Sequence, residues 1–224
     1  MKTLQPISAP IFPALVPVLA MLLAGPLQAA PDTPVLKPDQ FKHYIDGFNT
    51  DDEELYANAI PNARAWDFLE ANIPFFESPD KEIERAYYFR WWTFRKHLKE
   101  TPDGWVVTEF LPQVTWSGKH NTISCPAGHH FYEGRWLTDS RYLDNYAVFW
   151  FRKGGSPRLY SFWAADAINA FNLVKDNKAL VVDLLDDLVR NFEGWERDRL
   201  TPDGLFWQID DRDGMEVSIG KSGK

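Results

Sequence analysis

Twice in this chain a helix-spaced apolar stripe runs into the same four residues, Thr101-Pro102-Asp103-Gly104 and Thr201-Pro202-Asp203-Gly204. Pro at the second position and Gly at the fourth suit a type I turn, which stops a helix and releases a short extended run. Those runs are residues 106–110 and 206–209. A chain punctuated in this way is confined to units of helix, turn and short strand. Such units bury their apolar faces by stacking as helical hairpins.

The helices themselves are marked by spacing and caps. Pro61 stands at the first position of a helix over residues 62–70, closed by Ile73 and Pro74. Asp80 caps a longer one, in which Ile83, Tyr87, Trp91, Phe94 and Leu98 form a core row. A second row of Tyr88, Trp92 and Arg95 lies beside it, so this helix is expected to be covered on two sides. Asp139 or Ser140 caps a helix that runs to Arg152 and ends at Gly154 and Gly155. Residues 162–174 fit another. After Asn177, Leu180, Leu184, Leu188, Phe192 and Trp195 form a stripe set against Asp183, Asp187, Arg190 and Glu193.

Residues 1–29 read as an export signal, with Lys2 before an apolar stretch and Ala29 at a cleavage point. Retention as an anchor is the competing reading, but Pro13, Pro17 and Pro26 interrupt the stretch. The protein is therefore expected to be exported, periplasmic or extracellular, without a stable membrane span after cleavage. Residues 30–40 hold three prolines and read as a linker, so the folded domain is expected over residues 41–224. Its one cysteine, Cys125, cannot form an internal disulfide and reads as a small buried apolar residue rather than a thiol nucleophile. Net charge is −8 and becomes −9 without Lys2, which argues against nucleic acid as a partner. Aromatic residues make up 15% of the chain, ten of them tryptophans, more than a core of this size needs. Their flat apolar faces and polar edges suit the C–H faces of sugar rings as well as packing, and they nominate carbohydrate as a partner.

Two segments could carry chemistry. Residues 111–136 read as a long loop rich in polar and aromatic side chains: Gln113, Trp116, Lys119, His120, His129, His130, Glu133, Arg135 and Trp136. Zinc motifs pair histidines four apart on a helix and this run lacks that spacing, so substrate hydroxyl binding or ordinary loop hydrogen bonding is the better reading. Asp210, Asp211, Asp213 and Glu216 follow Phe206-Trp207-Gln208. Glycoside hydrolysis needs one carboxylic acid to protonate the leaving oxygen and a second carboxylate to activate water or attack. Aromatic and like-charged neighbours keep such an acid protonated. A solvated acidic loop or a calcium site is the alternative. No motif implies a cofactor.

Tyr87-Tyr88-Phe89-Arg90-Trp91-Trp92, the Pro-Asp-Gly turns and Asp213-Gly214-Met215-Glu216-Val217-Ser218 together resemble the six-hairpin glycosidases. Their wording is most similar to the mannosylglycerate hydrolase-like domains, related to glycoside hydrolase families 37 and 63 with their trehalases and processing α-glucosidases, over residues 61–220. The resemblance implies an all-α fold, part of an (α/α)6 toroid with short β-hairpin loops, and an inverting hydrolase of an oligosaccharide or disaccharide. Its general acid would fall on Glu216, with Asp213 as rival, because the family has Asp at the first position and Ser at the second. Arg90, Trp91, Trp116, His129, Glu133, Arg135, Trp207 and Asp211 would contact the sugar. The second carboxylate would lie downstream of Lys224, so the chain is expected to be an N-terminal portion, inactive alone and prone to self-association through exposed helices. A non-catalytic carbohydrate-binding or helical interaction module is the alternative.

Overall fold

The computed structural model describes residues 35–56, 59–209 and 212. Those residues are mostly helical. A 3-10 turn over Pro38–Phe41 leads into α1 (Lys42–Thr50). A second, over Asn62–Arg64, leads into α2 (Ala65–Asn72), with α3 (Lys81–His97) following. Strands β1 (Leu98–Thr101) and β2 (Gly104–Val107) pair antiparallel, Leu98 against Val107 and Thr101 against Gly104. Then come α4 (Ala127–Gly134), α5 (Arg141–Arg152), α6 (Ala164–Lys175) and α7 (Lys178–Arg199). Helix α3 packs on α1 and α2, α5 on β2 and α7, and α6 on α4 and α7. Among the described residues no helix is long and apolar enough to cross a membrane.

Several starts and stops follow from side-chain chemistry. The Asp80 carboxylate accepts from the amides of Glu82 and Ile83, and the Asn177 side chain accepts from that of Leu180, so both caps satisfy otherwise orphaned donors. At the first Thr-Pro-Asp-Gly, Gly104 takes φ +102°, open to glycine at no steric cost. This turn joins two paired strands: residues 98–101, whose Leu98 was expected to end the α3 core row, form β1. At the second, pairing shrinks to a single bridge between Leu200 and Phe206. Asp103 accounts for part of the difference. Its carboxylate holds Lys119 at 2.5 Å and His120 at 2.7 Å, tying the hairpin to the loop beyond it.

The core runs continuously through an aromatic series in which Tyr88, Phe131, Tyr146 and Phe149 are fully buried. Three expectations are corrected by the packing. Ile83 is exposed, and the buried row at the start of α3 begins instead with Glu84. That carboxylate accepts from the Tyr44 hydroxyl at 2.8 Å, the Ser78 amide at 2.8 Å and Lys81 at 2.9 Å, so a charge is buried where an apolar side chain was expected. Residues 127–134, expected to be loop, form α4, anchored by buried Ala127 and Phe131 one turn apart. Phe192 of α7 is exposed while Asn191 and Gly194 face inward, and the Arg158 guanidinium lies where a side chain at 194 would project. Cys125 is half-buried.

Candidate functional site

Arg90 of α3 and Glu133 of α4, 43 residues apart, meet with Nη2 and Oε2 at 2.5 Å. The pair stands beside a small cavity of about 50 Å³, lined by Arg90, Phe94 and His97 of α3, Val107 and Thr108 of the second strand and its exit, and His130 of α4. That volume holds one or two waters or a single ligand hydroxyl. Arg90 is mostly exposed and Glu133 mostly covered, and this asymmetry sets the electrostatics. Burial pushes the Glu133 carboxyl above its ordinary range, and Arg90 offsets only part of the rise.

The two imidazoles are held neutral. His97 places Nδ1 2.8 Å from the carbonyl oxygen of Thr108, an acceptor only, so Nδ1 carries the proton and donates it. Burial pushes its pKa down, although the Thr108 bond opposes this, and the charges of Arg90 and Lys96 push it further. His130 is more extreme. Burial, assisted by His97, Arg90 and His129, pushes it down to about 3. Its Nδ1 lies 3.1 Å from the hydroxyl of Tyr146, whose own pKa burial pushes well up, so that the phenol stays protonated.

A stability consequence follows with a definite sign. His130 is depressed in the folded state from its ordinary value of 6.5. Its contribution is therefore complete above pH 6.5 and is lost as pH falls from there toward the folded value, because the unfolded chain takes up the proton first. At about 1.4 kcal/mol per unit, the protein is expected to lose about 2 kcal/mol between pH 6.5 and pH 5. Urea unfolding at both pH values checks this: His130→Asn should flatten the difference, and an equal loss in the variant would contradict it.

Beside the cavity, α4 and α6 carry a partly exposed aromatic rim. The edge of Trp163 meets His129, with ring centroids 4.9 Å apart, and the Tyr132 hydroxyl donates to Asp166 at 2.6 Å. Gly128 makes this approach feasible, since a Cβ there would lie 2.2 Å from the indole. Arg135 stacks between Tyr132 at 4.5 Å and Trp136 at 5.2 Å, with its Nε buried and unpartnered.

The expected sugar-contacting residues thus divide. Arg90 and Glu133 are brought together, His129 lies on the same helix as Glu133, and Arg135 is at its end. Trp91 is only 4% exposed and packs edge-on to Tyr87 and Phe94. Trp116 is exposed but lies against Phe110, and Trp207 lies under the Arg199 guanidinium at 4.3 Å. Asp211, Asp213 and Glu216 lie outside the described residues. Arg212 is described: its carbonyl accepts from the amide of Ser161 at 3.2 Å, two residues before Trp163, and its guanidinium lies 5.8 Å from the Tyr160 ring. His97 and Trp163 were not among the expected site residues, and His130 was named only as one polar residue of the run 111–136. Adjacency of Gly128, His129 and His130 is the one local signal for them. Among the described residues no group of three or more His, Cys, Asp or Glu side chains is placed to hold a metal ion.

Residues 119–222 match the mannosylglycerate hydrolase MGH1-like glycoside hydrolase domain. A solved structure titled "Sialidase" is 45% identical, with a TM-score of 0.79 over 83% of this chain. This chain spans only 18% of that one. No curated protein matches. The chain therefore resembles the (α/α)6 glycosidases, and over residues 119–222 it matches the mannosylglycerate hydrolase MGH1-like glycoside hydrolase domain.

Proposed function

We propose that this chain contributes part of an exported glycoside hydrolase that cleaves an oligosaccharide or disaccharide with inversion. The observation that carries the reading is the Arg90–Glu133 pair at a polar cavity, with Glu133 inside the stretch that matches a glycoside hydrolase domain. A mostly covered carboxylate and a fork of guanidinium donors offer an acceptor and donors at fixed separation, which is what two neighbouring sugar hydroxyls require. The neutral imidazoles behind them add hydrogen-bonding capacity without adding charge. The resemblance supports Glu216 as general acid with Asp213 as rival, and Trp116, His129, Arg135, Trp207 and Asp211 as further sugar contacts.

The test is Glu133→Gln in a longer protein that holds this chain within a whole glycoside hydrolase domain, followed by sugar release from a panel of glycosides. A charge-assisted bond to substrate contributes about 1.5–3 kcal/mol, so kcat/KM is expected to fall roughly tenfold to a hundredfold with unchanged far-ultraviolet dichroism. Unchanged kinetics would remove the pair from the site. Stoichiometric glycan binding without turnover by the wild type would favour a carbohydrate-binding module instead.

A further inference from the structure

The small cavity behind Arg90 has walls whose hydrogen-bonding roles can be assigned. Its lining residues lie between positions 90 and 130, on α3, on β2 and its exit, and on α4. Phe94, Val107, Thr108 and His130 are each 7% exposed or less, so packed neighbours within the fold give it its shape. At about 50 Å³ it has room for a hydroxymethyl arm and none for a sugar ring or another helix.

The two imidazoles play opposite parts. His97 donates from Nδ1 to the carbonyl oxygen of Thr108, and burial keeps the ring neutral, so its Nε2 is a bare acceptor. His130 is the reverse. Its Nδ1 lies beside the hydroxyl of Tyr146, a fully buried phenol that stays protonated and needs an acceptor for its proton. Nδ1 supplies that acceptor, so the neutral ring carries its own proton on Nε2. One ring brings an acceptor to the cavity and the other a donor, and neither brings a charge.

A single oxygen that both accepts and donates satisfies the two rings, and a hydroxyl is such a group. A carboxylate oxygen only accepts, and would turn a lone pair toward that of His97 Nε2. An ammonium only donates, and would meet the N–H of His130. Phe94 and Val107 supply apolar wall for a methylene. A ring hydroxyl enters so small a space only by bringing its ring with it, whereas an exocyclic hydroxymethyl arm projects one carbon further.

We propose that the cavity is a subsite for the hydroxymethyl arm of a sugar, its hydroxyl accepting from Nε2–H of His130 and donating to Nε2 of His97. The proposal rests on the reading of Arg90 and Glu133 as sugar contacts. It makes His97 and His130 specificity-determining residues, selecting glycosides with a free hydroxymethyl group over 6-deoxy sugars and uronides.

Calorimetric binding to a longer protein that holds this chain within a whole glycoside hydrolase domain tests it. The probes are methyl glucosides, mannosides and galactosides, each beside its 6-deoxy and 6-carboxylate counterparts. The parent of at least one series is expected to bind, its 6-deoxy counterpart about tenfold to a hundredfold more weakly, and its carboxylate no better than the 6-deoxy sugar. His97→Asn keeps a donor for Thr108 and removes the Nε2 acceptor, while His130→Asn keeps an acceptor for Tyr146 and removes the Nε2 donor. Each should erase the preference for parent over 6-deoxy sugar and leave affinity for the 6-deoxy sugar within about twofold, a pattern that general loss of structure does not give. Parent and 6-deoxy sugars bound alike by the wild type, or a preference that survives both substitutions, overturns the subsite whatever the protein hydrolyses. Failure to bind any probe overturns it as well. The expected preference in a protein that hydrolyses none of the parents leaves the subsite standing and overturns the glycosidase reading alone.

Discussion

Arg95→Ala is expected to destabilise the fold by about 3–5 kcal/mol, the range for removing one member of a buried charged network. The Arg95 side chain is completely buried. Its guanidinium donates to the carbonyl of Ile60, to Asn62 Oδ1 at 2.8 Å and to the carbonyl of Trp92 at 3.3 Å. Asn62 in turn donates to Asp52 at 2.7 Å, and Asp52 holds Lys96 at 2.6 Å. Burial lowers the Arg95 pKa to about 10, against the pull of Glu54 and Asp52, so the group stays cationic at neutral pH. Truncation would leave two buried acceptors without donors and open a cavity beside Trp92. Arg95→Met keeps the stem and should cost less, about 2 kcal/mol, leaving mainly the unpaired acceptors. Urea midpoints of the two variants check the ordering. A cost below about 1 kcal/mol for Arg95→Ala would mean that water replaces the guanidinium.

Much of the helical framework was legible in the sequence because its signals are local. Asp80 and Asn177 cap the helices they precede, and Gly154 ends α5 with φ +94°. The misreadings have physical causes. Helix α4 was hidden because Gly128, His129, His130 and Gly134 dilute its apolar period, and only the packing of Ala127 and Phe131 holds it helical. The burial of Glu84 has no local signal, because two of its three partners, Tyr44 and Ser78, come from other segments.

The candidate site was legible as a set of residue types rather than as an arrangement. Arg90 and Glu133 were each expected, yet their pairing depends on how α3 and α4 are placed in the fold, which no local spacing encodes. An aromatic residue at helical spacing reads alike as core and as sugar platform, and Trp91, expected as both, is buried. His130 was hidden in the opposite way. Its run of polar residues suggested a loop, whereas its ring is buried on α4 beside Tyr146.

The largest expected effect is on catalysis. A glycosidic bond breaks only as its oxygen is protonated, and a positioned general acid contributes about a hundredfold to ten-thousandfold. Glu216→Gln retains the shape and removes the transferable proton, as Asp213→Asn does for its rival. Replacing the true acid should therefore abolish most of kcat while substrate binding persists. The decisive measurement is the initial rate of sugar release by a longer protein holding this chain within a whole glycoside hydrolase domain, compared among wild type, Glu216→Gln, Asp213→Asn and the double variant. Turnover by the wild type, with one single variant as depleted as the double and the other near normal, is the expected result. Sugar release undiminished in the double variant would contradict the account.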